Sequence, residues 1–137
     1  MVSGTTISRC HKAGQEAGDT LIAAMALVER FAVSHGLETP ATQRLAIVVE
    51  EIVSNLLCHA AHDRDIAFTL SLDHGKAGPH IVLDDDSDPF DPRTAPIPEM
   101  PEPVRGGGVG LALVDAWCDI VAYDSAQGRN RLILRLR

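Results

Sequence analysis

The sequence predicts an α+β domain, a two-layer sandwich with helices packed on one face of a mainly antiparallel sheet. Two observations carry that expectation. Two long early segments place apolar residues at three- and four-residue intervals, the period of an amphipathic helix. Short alternating runs joined by tight turns follow, with a glycine-opened helix between them, which is the pattern of hairpins laid under helices.

The first helix is expected from about Ala13 to His35, where Leu21, Met25, Val28 and Phe31 recur on one side and Gly36 supplies a stop. Thr39-Pro40 and Thr42 start a second helix running to about Ala61. Its apolar set is Leu45, Val48, Val49, Ile52, Val53, Leu56 and Leu57, broad enough to imply deep burial. Ile66, Phe68, Leu70 and Leu72 then alternate with Ala67, Thr69 and Ser71, the period of a half-buried strand. Gly75 to Pro79 reads as a turn, and His80 to Asp84 as a second strand paired antiparallel with the first. Six of the eight prolines fall between Pro89 and Pro103, so that stretch is neither helix nor central strand and reads as a long loop. A third helix is expected from about Val109 to Asp119. Ile120 to Tyr123 and Arg131 to Leu136, separated by a Gln127-Gly128 turn, form the closing hairpin.

At 137 residues and 45% hydrophobic content, the chain is read as one domain, residues 1–137, with a single core and neither repeat nor linker. A formal charge of −7 argues against general affinity for nucleic acid or anionic membrane, which rests on Lys and Arg neutralising phosphates. Cys10, Cys58 and Cys118 are odd in number and widely spaced, a pattern of reduced thiols. Met1 to Lys12 has no apolar core of a leader, and no stretch is apolar enough to span a membrane, so the expected compartment is the cytoplasm.

Three islands carry chemistry. On the second helix Glu51, Asn55 and His59 are spaced by four and share one face; the amide oxygen of Asn55 suits Mg²⁺, and Glu51 suits the polarisation of a hydroxyl or water. The alternative is an ordinary solvated face. At the end of the second strand lies Asp84-Asp85-Asp86-Ser87-Asp88, where a carboxylate can accept from the exocyclic amine of a base; its rivals are a plain Asx-type turn and a truncated calcium loop. Gly106-Gly107-Gly108-Val109-Gly110 lets backbone N–H groups and a helix N-terminus approach phosphate oxygens, against the alternative of a simple hinge. His59 and His62 could face together as zinc ligands but lack two further donors. Trp117, alone of its kind, reads as a core or dimer contact.

Taken in order, these islands resemble the Bergerat-fold (GHKL) ATPase superfamily, and within it the anti-sigma factor serine/threonine kinases, over roughly Leu45 to Leu136. The resemblance implies ATP and Mg²⁺ as cofactors. It implies that Glu51 is the catalytic base, that Asn55 is the Mg²⁺ ligand, that Asp85 receives the adenine amine, and that Phe90 and Asp91 complete that box. Gly107, Gly108, Gly110 and Leu111 would lie about the phosphates, and residues of about 92–106 would form a lid offering Arg93 or Arg105 to the γ-phosphate. The ending Gly128-Arg129-Asn130-Arg131-Leu132 looks like the family's last hairpin. The implied partners are a sigma factor and an anti-anti-sigma protein, with homodimer pairing, no direct nucleic acid and no membrane. One position departs: Ser87 stands where the family carries glycine, so a Cβ there is expected to crowd the base or resist a positive φ. The implied activity is phosphorylation of the anti-anti-sigma partner. The alternative is a regulatory binding module of the same fold, and a histidine kinase fragment is disfavoured because no helix with a phospho-accepting histidine precedes the domain.

Overall fold

One five-stranded sheet of order β1-β2-β3-β5-β4, every neighbouring pair antiparallel, carries two long helices on one face. The computed structural model describes residues 4–59, 64–89 and 113–137. Its elements run β1 (Gly4–His11), α1 (Gly18–His35), α2 (Thr39–His59), β2 (Ile66–Gly75), β3 (Gly78–Asp85), β4 (Cys118–Ala126) and β5 (Arg129–Leu136). The α+β sandwich expected from the sequence is the fold observed.

Alternation decides the layers. Ile66, Phe68, Leu70 and Leu72 of β2, Ile81 and Leu83 of β3, and Leu134 and Leu136 of β5 are all buried and form one cluster with the helices. The seven apolar positions of α2 named above are buried in that same cluster, together with Leu27, Val28 and Phe31 of α1. The opposite face of the sheet is polar: Thr6 donates to Ser71 Oγ at 3.1 Å, Ser8 and Thr69 share a hydrogen bond of 3.0 Å, and Arg131 grips Asp84. One-sided burial of this kind is what an antiparallel sheet permits.

Helix ends follow local chemistry. Gly36 closes α1 in the left-handed region at φ 61°, its N–H directed at the carbonyls of Ala32 and Val33, and Leu37 N–H donates to Ala32 O at 3.0 Å. The start of α1 lies at Gly18 rather than near Ala13. Residues 12–15 are held instead by a turn in which Gln15 N–H donates to Lys12 O at 3.0 Å and Ala13 N–H donates to Asp65 Oδ1 at 2.8 Å. In α2 the first helical bond runs from Thr42 N–H to Glu38 O, so Pro40 sits in the first turn, where its missing N–H leaves no bond unmade. The β4–β5 connection places Gln127 at φ 56° and Gly128 at φ 76°, both positive as a two-residue hairpin of type I′ demands.

Two elements differ from the sequence expectation. β1 was not anticipated; it pairs with β2 from Gly4↔Asp73 to His11↔Ile66, and its inward positions Arg9 and His11 hide the apolar alternation. His11 is nevertheless buried, its Nε2 donating to Gln15 O at 3.1 Å while Nδ1 meets Thr20 Oγ1 at 3.1 Å. The third helix gives way earlier than Asp119: residues 113–117 are helical and Cys118 already opens β4. Arg137 closes that helical turn by donating from Nη2 to the carbonyls of Asp115 and Ala116. Trp117 packs against the core as a partly buried residue, with the Arg44 guanidinium of α2 5.8 Å from its ring centroid. No helix among the described residues is long and apolar enough to cross a membrane.

Cys10 and Cys58 are exposed free thiols, whereas burial pushes the Cys118 thiol up to about 11. Iodoacetamide at pH 8 is expected to label Cys10 and Cys58 on native protein and Cys118 only after unfolding, as read by peptide mass mapping. For the core, Phe68→Ala is expected to lower unfolding free energy by about 3–5 kcal/mol in urea denaturation. Val33→Ala, at a position 84% exposed on α1, should stay within about 0.5 kcal/mol of the parent.

Candidate functional site

The polar stripe of α2 is built by helical spacing. Residues four apart stack on one face, so Glu51 and Asn55 meet while Ile52, Val53 and Leu56 turn into the core. The solvated-face alternative applies to Glu50, which is exposed; Glu51 and Asn55 are each half-buried. That partial burial raises the Glu51 carboxyl above its ordinary 4.5, the neighbouring Glu50 charge raises it further, and a hydrogen bond with Asn55 pulls the other way. His59 is the last residue of α2.

A second polar group closes the inward row of the sheet. Period two along β3 puts Asp85 on the same side as Ile81 and Leu83, and Asp84 on the other. Asp84 is there engaged by Arg131, whose Nε and Nη2 donate to its two oxygens at 2.7 and 3.2 Å. Asp86 accepts from Ala67 N–H at 2.9 Å and receives Arg64 on its backbone carbonyl. The three consecutive aspartates thus hold three separate tasks, and the calcium-loop alternative fails because Asp84 and Asp86 are committed to different partners.

Asp85 is 8% exposed. Its Oδ1 accepts from the Ser87 backbone N–H at 2.9 Å, from the Ser87 hydroxyl, and from Asn130 Nδ2 at 2.9 Å. Asn130, a residue of the closing hairpin for which the sequence implies no site role, is directly opposite Asp85 in the β3–β5 register. Its signal was available: positions 130, 132, 134 and 136 share the inward face, and a polar residue in phase with three leucines must find partners there. Ser87 also corrects an expectation. Among the described residues Gln127 is the one non-glycine at positive φ, so Ser87 carries no left-handed strain.

Asp85 and the α2 stripe belong to the same layer, since Leu83 and Phe68 beside Asp85 share one cluster with Ile52, Val53, Leu56 and Leu57 of α2. Among the described residues no hydrogen bond links Asp85 to Glu51 or Asn55. Phe90, Asp91, the 92–106 loop with Arg93 and Arg105, His62, and Gly107, Gly108, Gly110 and Leu111 lie outside the described residues. Two cavities are present. One of about 470 Å³ adjoins this corner, lined by Asn130 together with Thr69, Asp84, Arg129 and Arg131; another of about 350 Å³ lies between Leu21, Met25 and Glu50 of the two helices. No group of three metal-ligating side chains occurs among the described residues.

The family model described as the histidine kinase-like ATPase domain matches residues 16–136. The chain belongs to this family. The match takes in every element from α1 to β5 and leaves only β1 ahead of it. No curated protein matches the chain. A histidine kinase-like ATPase domain binds ATP, generally with Mg²⁺, and the residues present fit both. Asp85 keeps Oδ2 without a hydrogen bond among the described residues, an acceptor suited to an exocyclic amine, and Asn55 supplies an amide oxygen suited to a hard cation.

The raised Glu51 carboxyl has a consequence for stability. Between 4.5 and its raised value the folded state binds more protons than the unfolded chain, so this group's contribution falls as pH rises through that window. Glu51→Gln is therefore expected to melt above the parent at pH 7–8, with the gap closing as pH falls toward 4.5. Paired thermal melts across that range in nucleotide-free buffer measure it.

Proposed function

We propose that this histidine kinase-like ATPase domain is a protein serine/threonine kinase of the anti-sigma factor type, acting on an anti-anti-sigma partner and able to hold a sigma factor. The observation that carries the reading is the half-buried Glu51 beside Asn55, a carboxyl raised by burial on a domain that binds ATP. A base works best when its proton affinity approaches the operating pH, and burial moves Glu51 in that direction. The order of Glu51 and Asn55, the Asp85 box and the glycine cluster, and the resemblance that they carry, supply the rest.

In this reading Asp85 would hold the adenine amine and Asn55 would hold Mg²⁺, which would supply positive charge against the phosphate oxygens. Glu51 orients a partner's serine hydroxyl and takes its proton on a carboxylate oxygen. The serine oxygen forms its bond to the γ-phosphorus as the bond from that phosphorus to the β,γ-bridging oxygen breaks, and ADP departs with the electron pair. Backbone N–H groups of the glycine cluster balance the charge on the transferred group.

Saturating Mg-ATP, at about a hundred times Kd, is expected to stabilise the domain by about 2.7 kcal/mol. With labelled Mg-ATP and a panel of anti-anti-sigma domains, one of them should acquire phosphoserine, identified by mass spectrometry. Glu51→Ala should slow that transfer by about 10²–10⁴-fold while leaving the Mg-ATP melting shift in place. A stable complex with an anti-anti-sigma domain that never acquires phosphate would instead make the protein a binding module.

A further inference from the structure

The carboxylate of Asp85 is held more tightly than a single nucleotide contact requires. Three donors converge on Oδ1, two from Ser87 in the turn and one from Asn130 on the neighbouring strand, while Oδ2 accepts nothing among the described residues. No side-chain polar atom sealed away from solvent lacks a partner among the described residues, so Oδ2 retains an opening. Asn130 itself is 3% exposed and fully spent. One N–H goes to Asp85 and the other to Ser87 O at 2.7 Å, and its Oδ1 accepts from the Ser125 hydroxyl at 2.7 Å. Because a carboxylate and a carbonyl only accept, the chemistry fixes which way the Asn130 amide faces.

We propose that Asn130 and Ser87 are positioning residues that lock the Asp85 carboxylate with one oxygen spent inside the fold and the other presented to the base, and that this lock sets the preference for a purine bearing a 6-amino group. The inference rests on the reading of Asp85 as the adenine acceptor. Asn130 has no donor left for a base, so it acts through Asp85. Ser87 adds its backbone N–H and its hydroxyl on the same oxygen, which ties the turn to the carboxylate. The Ser125–Asn130–Asp85–Ser87 chain draws on β4, β5, β3 and the turn beyond it, so the carboxylate can pivot only if a hydrogen bond breaks. A locked Oδ2 accepts from the 6-amino group of adenine and faces a carbonyl oxygen in hypoxanthine, which it repels. A carboxylate free to pivot can seek the neighbouring N1–H of hypoxanthine instead, and the distinction between the two bases shrinks.

The test is calorimetric titration of the full chain with Mg-ATP and with Mg-inosine triphosphate. The parent is expected to prefer ATP by about tenfold or more, the equilibrium equivalent of one hydrogen bond to a charged group. Asn130→Ala should cut that ratio by about fivefold or more, Ser87→Ala by less, and Asn130→Ser, which returns one hydroxyl donor, should recover part of it. Equal losses for both nucleotides, with the ratio unchanged in Asn130→Ala, would show a merely structural residue and overturn the proposal alone. A parent that does not distinguish the two nucleotides overturns the reading of Asp85 and the proposal with it. If Asn130→Ala does not fold, as judged by its melt without nucleotide, the ratios in Asn130→Ser and Ser87→Ala decide in the same way.

Discussion

The register of β3 places everything else. This strand is bonded on both sides, to β2 and to β5, and its inward residues Ile81 and Leu83 join the cluster that α1 and α2 close. Because side chains alternate with period two, a slip by one residue would send Asp84 into the helix layer and Asp85 to the open face. Arg131 would then face the wrong carboxylate and Asn130 would lose its partner. Two leucine-rich rows, on β2 and β5, therefore specify the position of one carboxyl group, and burial of apolar surface fixes a polar contact that contributes little to stability by itself.

Electrostatics has a different part. The chain is acidic, and half of its described lysines and arginines form ion pairs: Lys12 with Asp65, Arg64 with Asp86, Arg131 with Asp84, and both Arg135 and Arg137 with Asp119. Such exposed pairs contribute about 0–1 kcal/mol each, so their effect is less on stability than on local charge. On the proposed kinase reading, Mg²⁺ and backbone N–H groups of the glycine cluster would neutralise a triphosphate that meets a chain of net charge −7.

Much of the fold was legible because its burial is periodic. All seven apolar positions assigned to the second helix are buried in α2, and the alternation from Ile66 to Leu72 marks the inward row of β2. β1 was illegible for a physical reason: of its inward residues only Ile7 is a large apolar side chain, and His11 is buried through hydrogen bonds rather than through hydrophobicity. At the site, Glu51, Asn55 and Asp85 could be named from spacing and resemblance. Asn130 leaves one signal, a polar residue in phase with three leucines, but its partner is a carboxylate 45 residues away that only the fold brings to it, and Ser125 reaches that carboxylate only through Asn130. The serine in the turn misled a purely local reading. A glycine position suggests a left-handed backbone, whereas here the backbone is ordinary and the hydroxyl is occupied by Asp85.

The two carboxyls of the site are built to opposite ends. Asp85 is gripped by three donors on one oxygen, which suits a group that must hold still and accept a fixed donor. Glu51 is half-buried and opposed by Glu50, with Asn55 as its compensating hydrogen bond, so its proton affinity rises. A group of that kind is suited to taking a proton rather than to anchoring a ligand. On the proposed kinase reading the division follows from placement alone: the end of a central strand, braced from both sides, recognises, and the half-buried face of a helix, short of donors, does the proton chemistry.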